Sequence, residues 1–217
     1  MALIAAVWVV SDVGFHFLLP RIGLIPSYID DPSVAAGYYA AWIPVTFVIF
    51  RAQYRGWTPF GPARPLLVFV PLFAAFALAF AIYAPAALPD AIWNETGKPP
   101  DILVASTWYF LPKSVDILLQ QLLIAGLVLA FSAGRRSLWE ISGYCAILFG
   151  SSHLLLAFGS LPAMYVIRFT VFASLFGLLF PYLILRVPNG IVYSYATHWT
   201  YYAATLVTAH TISPYAS

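Results

Sequence analysis

Charge is what this sequence has least of. Lys, Arg, Asp and Glu together make up 8% of its 217 residues, against about 25% in a soluble domain. A chain so poor in charge cannot cover a folded surface with solvated groups, and 62% of it is hydrophobic. Cysteine is nearly absent as well. The single Cys145 excludes an intramolecular disulfide, and with it the CxxC and zinc-finger patterns. Ten Lys and Arg against eight Asp and Glu give a net charge of +2, scattered without a basic stripe, which speaks against a nucleic-acid partner. No internal repeat and no stretch suited to a separate soluble domain is visible. The opening MALIAAVWVVSDVGFHFLLP lacks a basic n-region and is interrupted by Asp12 and His16, so it is expected to be a retained helix rather than a signal peptide. The closing TISPYAS carries no prenylation or retention pattern.

What is present are long apolar runs. About 20 apolar residues cross roughly 30 Å of hydrocarbon, and on that measure helices are expected near 2–19, 34–50, 65–88, 108–131, 138–158, 162–185 and 190–211. The expected fold is therefore all-α: a polytopic transmembrane helix bundle of about seven spans, forming one transmembrane domain over 1–217. Six or eight spans follow if 34–50, which contains Pro44, or 65–88 is assigned differently. The connections on one side hold Arg21 and Lys98; those on the other hold Arg51, Arg55, Arg64, Arg135, Arg136 and Arg186. The positive-inside rule then puts the N-terminus in the cytoplasm and, with seven spans, the C-terminus on the opposite side. Trp57, Trp93, Trp108 and Trp139 fall near expected span ends, as interfacial anchors do. Asn94-Glu-Thr96 is a glycosylation triplet by pattern alone.

Polar residues interrupt the apolar runs in register. Tyr109, Lys113, Asp116 and Gln120 follow spacings of four, three and four and share one helix face, with Gln121 at its border. Ser142, Cys145, Phe149 and Ser152 line a second helix, with His153 four residues after Phe149. Ser194, His198, Tyr201, Thr205 and Thr208 line a third. Polar groups at bilayer depth are costly and turn to a bundle interior. A pocket in the outer half of the bilayer is expected to hold Asp116, His153 and Arg168. Its foremost bond is expected between Asp116 and Arg168, with Lys113 as a local partner. The plain alternative is that Gln121, Ser142 and Thr205 only tie helices together, at about 0.6–2 kcal/mol each. Asp12 and His16, one turn apart, are in position to satisfy one another.

The order of these stripes resembles the CPBP intramembrane proteases, the CAAX-protease and bacteriocin-processing family. That family carries Glu-Glu-x-x-x-Arg, then Phe-x-x-x-His, then His-x-x-x-Asn or Asp, on three membrane helices. Phe149-Gly-Ser-Ser-His153 matches the second motif, and His198, reached through Asn189-Gly-Ile-Val-Tyr-Ser-Tyr-Ala-Thr, matches the His of the third. The first motif aligns with Gln120-Gln121-Leu-Leu-Ile-Ala125. The resemblance covers 108–205, and its departures are specific. Both glutamates are glutamines, the Arg is Ala125, and the last Asn or Asp is Tyr202. In the family, the first Glu and the motif-two His are thought to activate water, and the later pair to steady the oxyanion. A neutral carboxamide has almost no basicity, so general-base assistance of roughly 10²–10⁴-fold is removed. An oxyanion donor is worth about another 10²–10³-fold, for which the Tyr202 hydroxyl is a partial substitute.

The resemblance thus implies a degenerate site at Gln120, Gln121, His153, His198 and Tyr202. The expected function is non-catalytic: an accessory or scaffolding subunit of a membrane complex, or a pocket for a peptide or lipid. Its partners would be membrane lipid and other integral membrane subunits. One alternative is an active intramembrane endopeptidase using His153 and His198. Another is a pigment- or haem-binding subunit, because imidazoles on separate helices can ligate iron or magnesium. No metal site and no resident cofactor is otherwise expected.

Overall fold

The computed structural model describes the chain except for residues 1, 25–26, 58–60, 94–98, 100, 105, 159–161 and 213–217. The glycosylation triplet at 94–96 and the orientation residue Lys98 lie outside the described residues. Among those described, the regular structure is helical: α1 Ala2–Val13, α2 Pro32–Ile49, α3 Arg51–Arg55, α4 Arg64–Ala87, α5 Phe110–Ala133, α6 Leu138–His153, α7 Ala163–Arg186 and α8 Gly190–Thr211. Short 3-10 turns lead into α5 at Thr107–Tyr109 and continue α6 at Leu154–Phe158.

Helix boundaries have local causes. After Val13, α1 widens into a π-helical stretch, Gly14–Leu18, and closes with the turn Leu19–Arg21. The widening directly precedes Pro20, whose missing N–H and ring disfavour a regular turn against His16. Asp31 caps α2: its Oδ1 accepts from the Val34 N–H at 3.3 Å, and Pro32 follows at the first helical position, where the absent N–H costs nothing. Ser137 and Glu140 form a capping box that starts α6. At the far end of α7, the helical donor to the Ile184 carbonyl would be residue 188, but this is Pro188, which has no N–H. The Trp57 indole donates to it instead, at 3.1 Å.

Among the described residues, five stretches combine the length and apolarity needed to cross a membrane: Leu3–Arg21, Pro32–Ile49, Arg64–Ala87, Thr107–Ala133 and Ala163–Arg186. Two expected spans fall short for different reasons. The regular helix α6 has 16 residues before it tightens, and α8 is rich in hydroxyl and imidazole side chains. No residue of α4 is buried, whereas two thirds of the most apolar window of Thr107–Ala133 is. Trp108 and Trp139 are 63% and 84% exposed near helix starts.

The fold divides into two compact units. Met1–Ile49, Ala63–Leu123 and Tyr195–Ser217 form the first; Phe50–Pro62 and Ile124–Ser194 form the second. In the first, Trp199 of α8 lies within an aromatic cluster with Phe73, Phe76 and Phe80 of α4 and Phe110 of α5. Its indole N–H donates to Ser114 Oγ at 2.9 Å. In the second, α6 and α7 approach so closely that a Cβ on Gly177 would overlap the backbone of Ala146, and one on Gly150 would overlap Ser174 Oγ. Ser142 Oγ bridges the same pair of helices by donating to the Leu178 carbonyl at 3.1 Å.

Candidate functional site

The densest polar cluster lies in the first unit, on α5. Helical spacing brings Lys113, Asp116 and Gln120 together, and the structure joins them. Lys113 Nζ lies 2.9 Å from Asp116 Oδ2, and Gln120 Nε2 donates to Asp116 Oδ1 at 2.8 Å. A third donor arrives from outside the helix: the Tyr28 hydroxyl, 2.9 Å from Oδ2. Tyr28 is placed by a Ser27 turn in which Oγ accepts the Asp30 N–H at 2.9 Å and the Ile29 N–H at 3.2 Å.

The Tyr28 and Tyr39 hydroxyls are 3.1 Å apart. Each carries one proton, so with the Tyr28 proton on the carboxylate, Tyr39 donates to Tyr28 and the chain runs Tyr39 to Tyr28 to Asp116. Burial, and then the neighbouring Asp116 carboxylate, hold the Tyr28 phenol well above its ordinary range, so it stays protonated and donating.

The ammonium of Lys113 is enclosed by aromatic faces. Nζ lies 4.0 Å from the Tyr202 ring centre and 5.1 Å from that of Tyr28. Such faces attract a cation through the ring quadrupole, which offsets part of its desolvation. Lys113 and Asp116 are 9% and 5% exposed. The pair is neutral in sum, and its carboxylate has three donors on it.

Gln121 takes a separate partner. Fully buried, it places Nε2 3.0 Å from His198 Nδ1. An amide N–H donates, so Nδ1 accepts and the imidazole proton sits on Nε2. The His198 ring also tilts against Tyr202, with centroids 5.5 Å apart. The two glutamines therefore serve different groups: Gln120 holds the Asp116 carboxylate and Gln121 holds the His198 imidazole.

His153, Phe149 and Arg168 belong to the second unit. The His153 Nδ1–H donates to the Phe149 carbonyl at 2.7 Å, leaving its lone pair on Nε2, and its ring stacks on Phe169 at 6.5 Å. Arg168 is half-buried on α7. The ion partner that the structure gives Asp116 is Lys113 of its own helix.

Sequence reasoning missed Tyr28 and Tyr39. Tyr28 sits in a loop with no periodicity to read, 88 residues from Asp116. It also missed the Ser114 bond to Trp199. His210 is buried, with Nδ1 2.7 Å from the Pro89 carbonyl. Asp12 and His16 do not bond one another among the described residues. Among those residues, no group of three His, Cys, Asp or Glu is arranged to hold a metal ion.

Compared with known proteins, the chain matches no family model, no curated protein and no solved structure.

Proposed function

We propose that this chain is a seven-span membrane protein, N-terminus in the cytoplasm, that resembles the CPBP intramembrane proteases in the order of its polar motifs but works by binding rather than hydrolysis. The reading rests above all on the state of Asp116, the one carboxylate in the α5 stripe. Its oxygens accept from Lys113, Tyr28 and Gln120. Both oxygens of this carboxylate are already engaged by these three donors, so it is not free to position a water in place of the missing glutamates. Gln120 and Gln121 keep the hydrogen-bonding shape of an acid pair without its basicity. Tyr202 lies over the Lys113 ammonium, where it serves as the wall of a cation cage.

Such a site favours an accessory or scaffolding role, in which a rigid polar interior supports apolar outer faces such as that of α4. The experiment is extraction from native membranes in mild detergent, followed by native mass spectrometry. A second subunit or a bound peptide or lipid at fixed stoichiometry is expected. A solitary, unliganded monomer would count decisively against this role.

A further inference from the structure

The first helix carries a carboxylate that the described residues leave unsatisfied. Asp12 is the middle residue of the apolar stretch Leu3–Arg21, about 14 Å from either end at 1.5 Å per residue. It is exposed, and neither hydrogen-bonded nor ion-paired among the described residues. His16, one turn later, is also exposed and makes a ring contact with Phe15. With Ala5 and Val9 these residues follow spacings of four, three and four and are all exposed. That is the register of a helix-pairing seam, flanking the buried face of Ile4, Val7, Ser11 and Phe15.

A carboxylate at this depth does not face hydrocarbon for long without a partner. The lipid headgroups of either leaflet are too far away to supply one, whereas a helix crossing at the same depth does. The sign of the partner follows from the surroundings. Asp12 is close enough to Asp116 and Lys113 to feel both charges, that of the Asp116 carboxylate the more strongly. Asp101 and Asp116 act on His16. The strip is therefore net acidic, and a second copy of the same strip would bring like charge against it.

We propose that the Ala5–Val9–Asp12–His16 strip of α1 docks a partner transmembrane helix that carries a lysine or arginine at mid-span. This rests on the membrane-spanning, partner-binding reading above and names the face and the chemistry of that partner.

The test uses the full-length protein in phosphatidylcholine vesicles and a labelled Leu-Ala peptide helix of about 20 residues with one central Lys, read by energy transfer. The Lys peptide is expected to associate about tenfold more tightly than its all-apolar parent, a comparison that needs no variant. Asp12→Asn removes the gain, and Asp12→Lys transfers the preference to a peptide with a central Glu. Equal binding of the Lys and apolar peptides overturns the proposal, as does a Lys preference that survives in Asp12→Asn. Asp12-dependent energy transfer between two labelled copies of this chain overturns it too, by making a second copy the occupant. Cleavage of the peptide would defeat the non-catalytic reading while leaving docking at Asp12 intact.

Discussion

Removing the carboxylate of Asp116 should be far more damaging than removing the whole ion pair. With charges 2.9 Å apart and an effective dielectric constant of about 20, the attraction between Lys113 and Asp116 is about 6 kcal/mol. Asp116→Leu cancels it and leaves the ammonium enclosed by the Tyr28 and Tyr202 rings with no counter-charge. It also strips the acceptor from the Tyr28 hydroxyl and the Gln120 amide. Breaking one side of a buried pair typically costs about 3–5 kcal/mol. The double variant Lys113→Leu/Asp116→Leu retains only the two stranded neutral donors, about 1–3 kcal/mol together if they partly relax. Equilibrium unfolding of the full-length protein in bicelles, run as a double-mutant cycle, should therefore give a favourable coupling of at least about 2 kcal/mol. If Asp116→Leu is no more destabilising than the double variant, the pair is not the electrostatic centre of the site and the reasoning fails.

Three further outcomes follow from the same geometry. Tyr28→Phe, which removes one donor from Asp116 Oδ2, should cost about 1–3 kcal/mol in the same unfolding measurement, and more than Tyr39→Phe, which removes the outer link only. Gly177→Leu forces a side chain into the Ala146 backbone and should lower stability by at least about 1–3 kcal/mol, visible as a depressed thermal midpoint; an unchanged midpoint would deny the close approach of α6 and α7. Gln121→Leu and His198→Leu each strand a buried partner, so their double variant should cost less than the sum of the two by about 0.6–2 kcal/mol.

Much of this fold is written in hydrophobic run length. The long helices begin and end within a few residues of the expected runs, because a segment in lipid has only itself to satisfy its backbone. Run length is less telling for α6, whose regular helix has 16 residues, and for α8, whose hydroxyl and imidazole side chains lower its apolarity. Within the site, contacts inside one helix are readable as spacing: Lys113, Asp116 and Gln120 are one turn apart. Contacts between distant segments are not. Nothing in the loop around Tyr28 announces that its hydroxyl ends on α5, because the Ser27 turn that aims it is a local hydrogen-bond pattern with no period. Arg168 is the foremost expected partner of Asp116 and Lys113 a local one, and it is the local pair that the structure shows. Lys113, three residues away, reaches Asp116 at a lower entropic cost than a side chain on another helix.

The central claim is that a site with amides in place of acids, and with its one carboxylate neutralised, does not hydrolyse peptide bonds. Purified protein in proteoliposomes, incubated with fluorogenic membrane-peptide substrates alongside His153→Ala, tests it most directly. Both proteins are expected to release no more product than empty vesicles. Cleavage by the natural sequence that disappears in His153→Ala would contradict it.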